Sequence, residues 1–314
     1  MRSEVYLRDG KMTKRASTFG RARYYLRRFI VHGRIRVCLQ YIFAKFQSIF
    51  IQPTILPYFI TFFPYRRSSY AYVIPKVDVP RDEGATQLPN PPERLWLSYG
   101  MTIEDWLASG KEHVGNMRRI LNESEYSFND GDRVLEMGCA AGRMIRWLGD
   151  VADKCEIWGT DISGEHIVWC KQYLSPPFHF FITTQYPHLP FGDGYFDLIY
   201  AGSVFTHIDD LADAWLLELR RMLKPGGRLY ITIHDKATIR ILSEQKLDLS
   251  KTLNCCKDFF KNDDYSMFTI GRFMRSQVFY DTDSLVKSWN RFFDVLSVTP
   301  EAYGFQTAVL LQKK

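Results

Sequence analysis

The sequence predicts an α/β fold in which a mostly parallel sheet is covered by helices on both faces, a doubly wound arrangement. Three observations carry this. From residue 133 onward short apolar runs alternate with helical patterns, the first run ends in a glycine-punctuated turn, and the last helical pattern is stopped by Lys224-Pro225-Gly226-Gly227 ahead of another apolar run. With 46% hydrophobic and 24% charged residues over 314 positions, the chain can bury a large core and falls outside the disordered and collagenous classes.

Charge divides the chain ahead of these elements. Residues 1–75 hold 14 Lys and Arg against Glu4 and Asp9, whereas the rest holds 27 basic and 33 acidic side chains. A basic leader is attracted to anionic lipid or nucleic acid, while a mildly acidic remainder has the balance of an ordinary soluble enzyme. Within residues 37–52, spacing at 100° puts Leu39, Ile42, Phe43, Phe46, Ile49 and Phe50 on one face and Gln40, Lys45, Gln47, Ser48 and Gln52 on the other, and Pro53 ends the pattern. This amphipathic helix is too interrupted to span a bilayer, which needs about 20 mostly apolar residues. Two readings stay open for residues 21–52. The helix lies in a membrane interface beside Arg21, Arg23, Arg27, Arg28, Arg34 and Arg36, or it packs on protein, either the globular part or a partner. Nucleic acid is the weaker partner, since arginines alone lack a recognition module. The expected location is cytoplasmic, peripheral on the inner membrane face if the leader binds lipid, because the opening residues lack the order of a signal peptide. Residues 68–92 contain five prolines and read as extended. The expected boundaries are therefore 1–75 for the basic extension, 76–98 for a linker and 99–314 for the globular domain.

Residues 95–121, with Trp96, Tyr99 and Trp106, read as a helical cap ahead of the first strand. The runs RVLEM (133–137), EIWGTD (156–161), FHFFIT (178–183), FDLIYA (196–201) and RLYITI (228–233) are short and apolar, fit for strands buried on both faces. Residues 144–151, 164–174 and 211–223 show the three-to-four spacing of helices between them. In the stretch VLEMGCAAGR the chain must turn tightly from strand to helix while its backbone approaches a ligand, and Gly138 and Gly142 permit both. A bare tight turn without ligand is the alternative. Asp161, at the end of the second strand, can accept hydrogen bonds from both hydroxyls of a ribose; alone, it could instead cap the helix beginning near Ser163. Two such features on adjacent strand ends favour the nucleoside.

Four blocks now occur in a recognisable order: LEMGCAAGR, GTDIS, LPFGDGYFDLIYAGSVFTHI and LRRMLKPGGRLYIT. In this order they resemble class I S-adenosylmethionine-dependent methyltransferases with a type 11/12-like methyltransferase domain. The likeness covers roughly residues 99–314 and is strongest over 133–233. It implies a Rossmann-like seven-stranded sheet with an antiparallel last strand, FFDVLSV (292–298) and QTAVLL (306–311) forming the final pair, with an N-terminal helical extension added here. It implies S-adenosyl-L-methionine as cofactor, with Gly138, Cys139 and Gly142 along its methionine and ribose parts, Glu136 organising the loop, Asp161 on the ribose hydroxyls, Ile162 on the adenine face, and Ala201 and Ser203 near the methionine moiety and sulfonium. Two positions depart from the family pattern. Ala140 replaces the middle glycine, and Thr184-Gln185-Tyr186 replaces an acidic residue, leaving Gln185 to bond adenine through its amide oxygen. A nicotinamide-dependent oxidoreductase fits poorly, because the longer dinucleotide glycine fingerprint is missing. A non-catalytic adenosyl-binding or scaffold protein on the same fold is the other alternative.

Methyl transfer is an in-line displacement, so the protein must chiefly align donor and acceptor and exclude water. A hydroxyl acceptor also needs a base. His207, after the fourth strand, ranks ahead of His234, at the end of the fifth, and each could instead be tied into local hydrogen bonding. Asp209 reads as a helix N-cap, and Trp289 and Phe292 as core. Residues 236–280 form an aromatic-rich insertion, a lid over the acceptor pocket or a surface subdomain. Six cysteines without CxxC spacing indicate neither a zinc site nor a disulfide framework. The expected acceptor is a small molecule, a glycan or a lipid-linked molecule.

Overall fold

The computed structural model describes residues 88–97, 99–245, 265–271 and 276–314. The expected amphipathic helix, its arginine cluster, Cys255, Cys256, Phe259 and Phe260 lie outside the described residues.

Seven strands form the main sheet: β1 Arg133–Met137, β2 Glu156–Asp161, β3 His179–Ile182, β4 Phe196–Ala201, β5 Leu223–Ile233, β8 Phe293–Tyr303 and β9 Gln306–Lys313, in the order β3-β2-β1-β4-β5-β9-β8. Strands β1 to β5 pair in parallel, while β9 inserts antiparallel between β5 and β8. The apolar runs are strands because they are buried on both faces: four of the five residues of β1 are buried, and β9 is buried over its first six. The chain runs outward from β1 to β3 and then returns to β4, so the order reverses between β1 and β4. A crevice is expected at such a reversal, beyond the carboxyl ends of the strands.

Helix α1, Ile103–Glu123, is started by a capping box: the Thr102 hydroxyl accepts from the Asp105 N–H, and the Asp105 carboxylate accepts in return. Helix α2, Gly164–Tyr173, starts at Ser163, whose hydroxyl accepts from the His166 N–H. The expected helix over 144–151 is instead a 3-10 helix, Ile145–Val151, closed by tight bonds such as Trp147 N–H to the Met144 carbonyl. Helix α3, Ala212–Met222, starts without a side-chain cap; Asp209, expected there, accepts from its neighbour Asp210 because the helix begins too far downstream. The Lys-Pro-Gly-Gly stop opens β5 rather than preceding it, and the pairing with β4 slips by a bulge between Phe196 and Leu198.

Within 236–280 the described residues form α4, Lys236–Gln245, and a hairpin of β6, Met267–Ile270, with β7, Gln277–Tyr280. Backbone bonds from Val278 to the Thr206 carbonyl and from Tyr280 to the His234 carbonyl tie β7 across the ends of β4 and β5. Helix α5, Thr282–Trp289, is capped by Asp281.

Two apolar layers sandwich the sheet. Trp106, Met117 and Ile120 of α1 meet Ile167 and Cys170 of α2 on one face; Trp215, Leu216 and Leu219 of α3 meet Leu285 and Trp289 of α5 on the other. Each such fully buried side chain stabilises the fold by roughly 1.5–3 kcal/mol. Packing reaches back into the stretch read as linker: Leu95 is buried, and the Arg146 guanidinium donates to the carbonyls of Leu88 and Pro89.

Candidate functional site

The bend after β1 is shaped by two left-handed glycines, Gly138 at φ +77° and Gly142 at φ +76°. Neither has room for a side chain. A Cβ on Gly138 would stand 2.4 Å from Val204 Cγ2, and one on Gly142 would stand 2.3 Å from Leu174 Cδ1. Ala140 occupies the left-handed region too, at φ +46°, and is held there because its N–H donates to Asp161 Oδ2 at 2.9 Å. The other oxygen of Asp161 accepts from the Ser163 N–H at 2.7 Å. The half-buried carboxylate thus fastens the bend to the start of α2. Burial pushes its carboxyl up, opposed by His166 and by the N–H groups that it accepts.

Glu136 lies beneath the bend and is buried. Burial raises its carboxyl to about 8, against the pull of the Tyr200 hydroxyl at 2.9 Å, the charge of Arg143 and the Ile145 N–H. At neutral pH it therefore carries its proton and links β1, β4 and the turn following the bend. Cys139 turns its sulfur into the core beside Cys170, leaving only its backbone at the bend. Ile162 is half-buried next to Asp161, and Ala201 is fully buried at the end of β4.

Ser203, in the turn after β4, is left-handed at φ +57°. Its N–H donates to Thr232 Oγ1 at 2.7 Å, and its hydroxyl accepts from Gln306 Nε2 at 2.8 Å. The next residue, Val204, rests on Gly138, so this turn braces the bend. Gln185 follows β3 as an exposed residue whose backbone carbonyl accepts from the Trp215 indole.

These positions fit a nucleoside that carries an amino-acid tail. The bend presents backbone where a side chain cannot stand, Asp161 supplies a carboxylate on the adjacent strand, and the buried Thr183 hydroxyl just after β3 has no partner among the described residues.

The two histidines differ. His207 is exposed, and its Nδ1–H donates to the Ser276 carbonyl at 2.7 Å, which puts the ring's lone pair on Nε2. His234 is buried beside the rings of Phe279 and Phe305, with Nδ1 lacking a partner among the described residues. Burial, helped by the charge of His207, lowers it to about 3, so it stays neutral. Beside it Asp235 accepts from Thr307 at 2.7 Å and from the Thr238 N–H at 3.0 Å, joining the end of β5 to β9 and α4.

Sequence reasoning missed Gln306 and Arg143. Arg143 was in view directly after Gly142, but its partners Ser109, His113, Tyr99 and Tyr303 are brought to it only by folding. Among the described residues no cluster of potential ligands could hold a metal ion, and no helix is long and apolar enough to cross a membrane.

Residues 135–231 match a family described as a methyltransferase domain. The chain is 31% identical over 101 residues to the sterol 24-C-methyltransferase of Schizosaccharomyces pombe, covering 31% of this chain and 26% of that protein. It is 29% identical over 103 residues to a fatty-acid O-methyltransferase of Mycolicibacterium smegmatis, covering 33% and 37%. To a ubiquinone/menaquinone biosynthesis C-methyltransferase of Chromobacterium violaceum it is 32% identical over 106 residues, covering 32% and 42%. The chain therefore spans about a quarter to two fifths of the length of these curated relatives. Residues 135–231 are thus similar to a methyltransferase domain, and they lie on a seven-stranded sheet in which β9 runs antiparallel.

Proposed function

We propose that the chain transfers a methyl group from S-adenosylmethionine to a small-molecule, glycan or lipid-linked acceptor. The observation that carries this is the junction of the bend and Asp161, where two left-handed glycines and a carboxylate bonded to the Ala140 N–H meet on adjacent strand ends. When bound, S-adenosylmethionine supplies an electrophilic methyl group on a sulfonium sulfur. The chain's own residues supply alignment and proton handling. Asp161 orients the ribose, the backbone from Gly138 to Gly142 lies against the amino-acid tail, and the turn at Ser203 and Val204 borders the place where the methyl is presented. His207 Nε2 takes the proton of a hydroxyl acceptor, and the imidazolium so formed keeps its Nδ1–H on the Ser276 carbonyl. The three relatives named above methylate sterols, act on fatty acids or serve quinone biosynthesis, which supports an acceptor with apolar parts. The 14 basic residues within positions 1–75 support a hold on an anionic membrane surface.

Calorimetry with S-adenosylhomocysteine and NAD separates the readings. Binding of S-adenosylhomocysteine alone is expected, weakened at least tenfold or so by Asp161→Ala, since charge-assisted hydrogen bonds are lost; equal affinity in parent and variant overturns the assignment. With a hydroxyl acceptor, His207→Gln lowers turnover about 100-fold or more while cofactor affinity holds. Co-sedimentation with phosphatidylglycerol vesicles, reduced by charge reversal at Arg27 and Arg28, tests the membrane surface.

A further inference from the structure

The turn at 205–208, which carries His207 after β4, belongs to no helix or strand, yet its four carbonyls all accept hydrogen bonds from one short stretch 69 to 75 positions downstream. The Ser276 hydroxyl donates to the His207 carbonyl at 3.1 Å, and the Val278 N–H donates to the Thr206 carbonyl at 2.8 Å. The Tyr280 hydroxyl lies 3.3 Å from the Phe205 carbonyl and 3.4 Å from the Ile208 carbonyl and shares its one hydrogen between them. These donors are alternate residues, as the two-residue repeat of a strand dictates, and Phe279 packs instead on His234 and Phe268. Ser276, Val278 and Tyr280 are buried, as are Phe205 and Thr206, so the bonds lie largely away from water, where an unpaired carbonyl is costly. A two-stranded hairpin is marginal alone, and docking on this turn makes β6, β7 and the turn one unit.

Ser276 meets His207 twice, since its own carbonyl also accepts from the His207 Nδ1–H at 2.7 Å. Gln277 Nε2 approaches the same ring nitrogen at 3.4 Å, and it can donate there only if Nδ1 carries the lone pair. The shorter contact decides. A lone pair facing a carbonyl oxygen at 2.7 Å is repelled, whereas a donor at 3.4 Å stands beyond the usual hydrogen-bond range. Nδ1 therefore keeps its hydrogen. The ring is exposed, so packing does not fix it, and its tautomer and aim are set by the carbonyl that it meets.

We propose that Ser276 and Tyr280 are positioning residues for His207: together they hold the 205–208 turn, and through the Ser276 carbonyl they keep the imidazole lone pair on Nε2. The catalytic meaning of this hold rests on the reading of His207 as the base, whereas the hold itself belongs to the chain alone. Two-bond proton–nitrogen spectra of the full chain with labelled histidine read the tautomer near pH 8.5, about two units above the ordinary histidine value. The His207 signals are assigned by their loss in His207→Gln. In the parent the Nδ1–H form is expected in roughly five- to tenfold excess, the size of one hydrogen bond. Ser276→Ala combined with Tyr280→Phe, which removes two hydroxyls and no ring, should bring the two forms toward equality. Each single variant should give part of that shift, Ser276→Thr should keep the parent ratio, and Gln277→Ala should leave the Nδ1–H form in excess. Affinity for S-adenosylhomocysteine, measured by calorimetry, should stay within about twofold in all of them. A parent dominated by the Nε2–H form overturns the proposal. So does a double variant that melts at a lower temperature with its His207 ratio unchanged, because the two hydroxyls then only brace the fold. If the parent fails to bind S-adenosylhomocysteine, the methyltransferase reading falls, and the tautomer ratio still decides on Ser276 and Tyr280.

Discussion

The two sides of the point where the strand order reverses are made differently. On the β1–β2 side the contacts that shape the bend join residues close in sequence: Ala140 to Asp161, Asp161 to Ser163 and Cys170 to the Ala140 carbonyl. On the β4–β5 side they join residues far apart: His207 to Ser276, Asp235 to Thr307 and Ser203 to Gln306. The bend proposed to hold the cofactor is encoded locally, in residues whose φ angles and lack of side chain leave little choice. The side proposed to receive the acceptor is assembled from side chains of several elements, so it can vary while the bend stays the same.

Gly138→Val should break the contrast most strongly. It puts a branched side chain at φ +77°, onto Val204, and joins the two halves by collision. A loss of about 3 kcal/mol or more is expected in denaturant unfolding, with nucleoside binding abolished in calorimetry. Acid comes next, because each half buries one neutral histidine, His113 and His234, both lowered to about 3. Unfolded histidine titrates near 6.5, so the stability these two contribute is fully present above that pH and is lost as pH falls from 6.5 toward 3, by at most about 1.4 kcal/mol per unit per histidine. Urea midpoints across this range should fall less steeply for His234→Phe than for the parent, and an unchanged slope would refute the burial argument.

Gln306→Leu tests the acceptor side, where one amide satisfies both Ser203 and Thr232. A loss of about 1–3 kcal/mol is expected. Weaker S-adenosylhomocysteine binding should accompany it, because the turn at Val204 no longer braces Gly138. The smallest effect belongs to Ala140→Gly, which removes the side chain from a left-handed position and should change stability by about 1 kcal/mol or less, with cofactor affinity kept.

Much of the β1–β2 side was legible in the sequence, since a strand, a glycine bend and a terminal carboxylate are patterns of near neighbours. The sheet was legible for the same reason, its buried strands being continuous apolar runs. Elements whose ends depend on competition were less so: Asp209 lost the cap to distance, and residues 145–151 closed as a 3-10 helix. Cys139 was read as a lining residue, yet its side chain faces Cys170, because sequence position does not tell which way a residue in a tight bend points.

By itself the sequence determined the alternation of strands and helices over 133–233, the bend at Gly138 to Gly142 and the placement of Asp161 one strand away, because periodicity and backbone freedom act over a few residues. Only the tertiary structure decided that Gln306 steadies Ser203, that Ser276 orients His207, and that Ser109, His113 and Tyr303 close around Arg143. The reason is physical. Hydrogen-bond partners are chosen by distance in space, and residues 30 to 160 positions apart meet only once the sheet and its covering helices have packed.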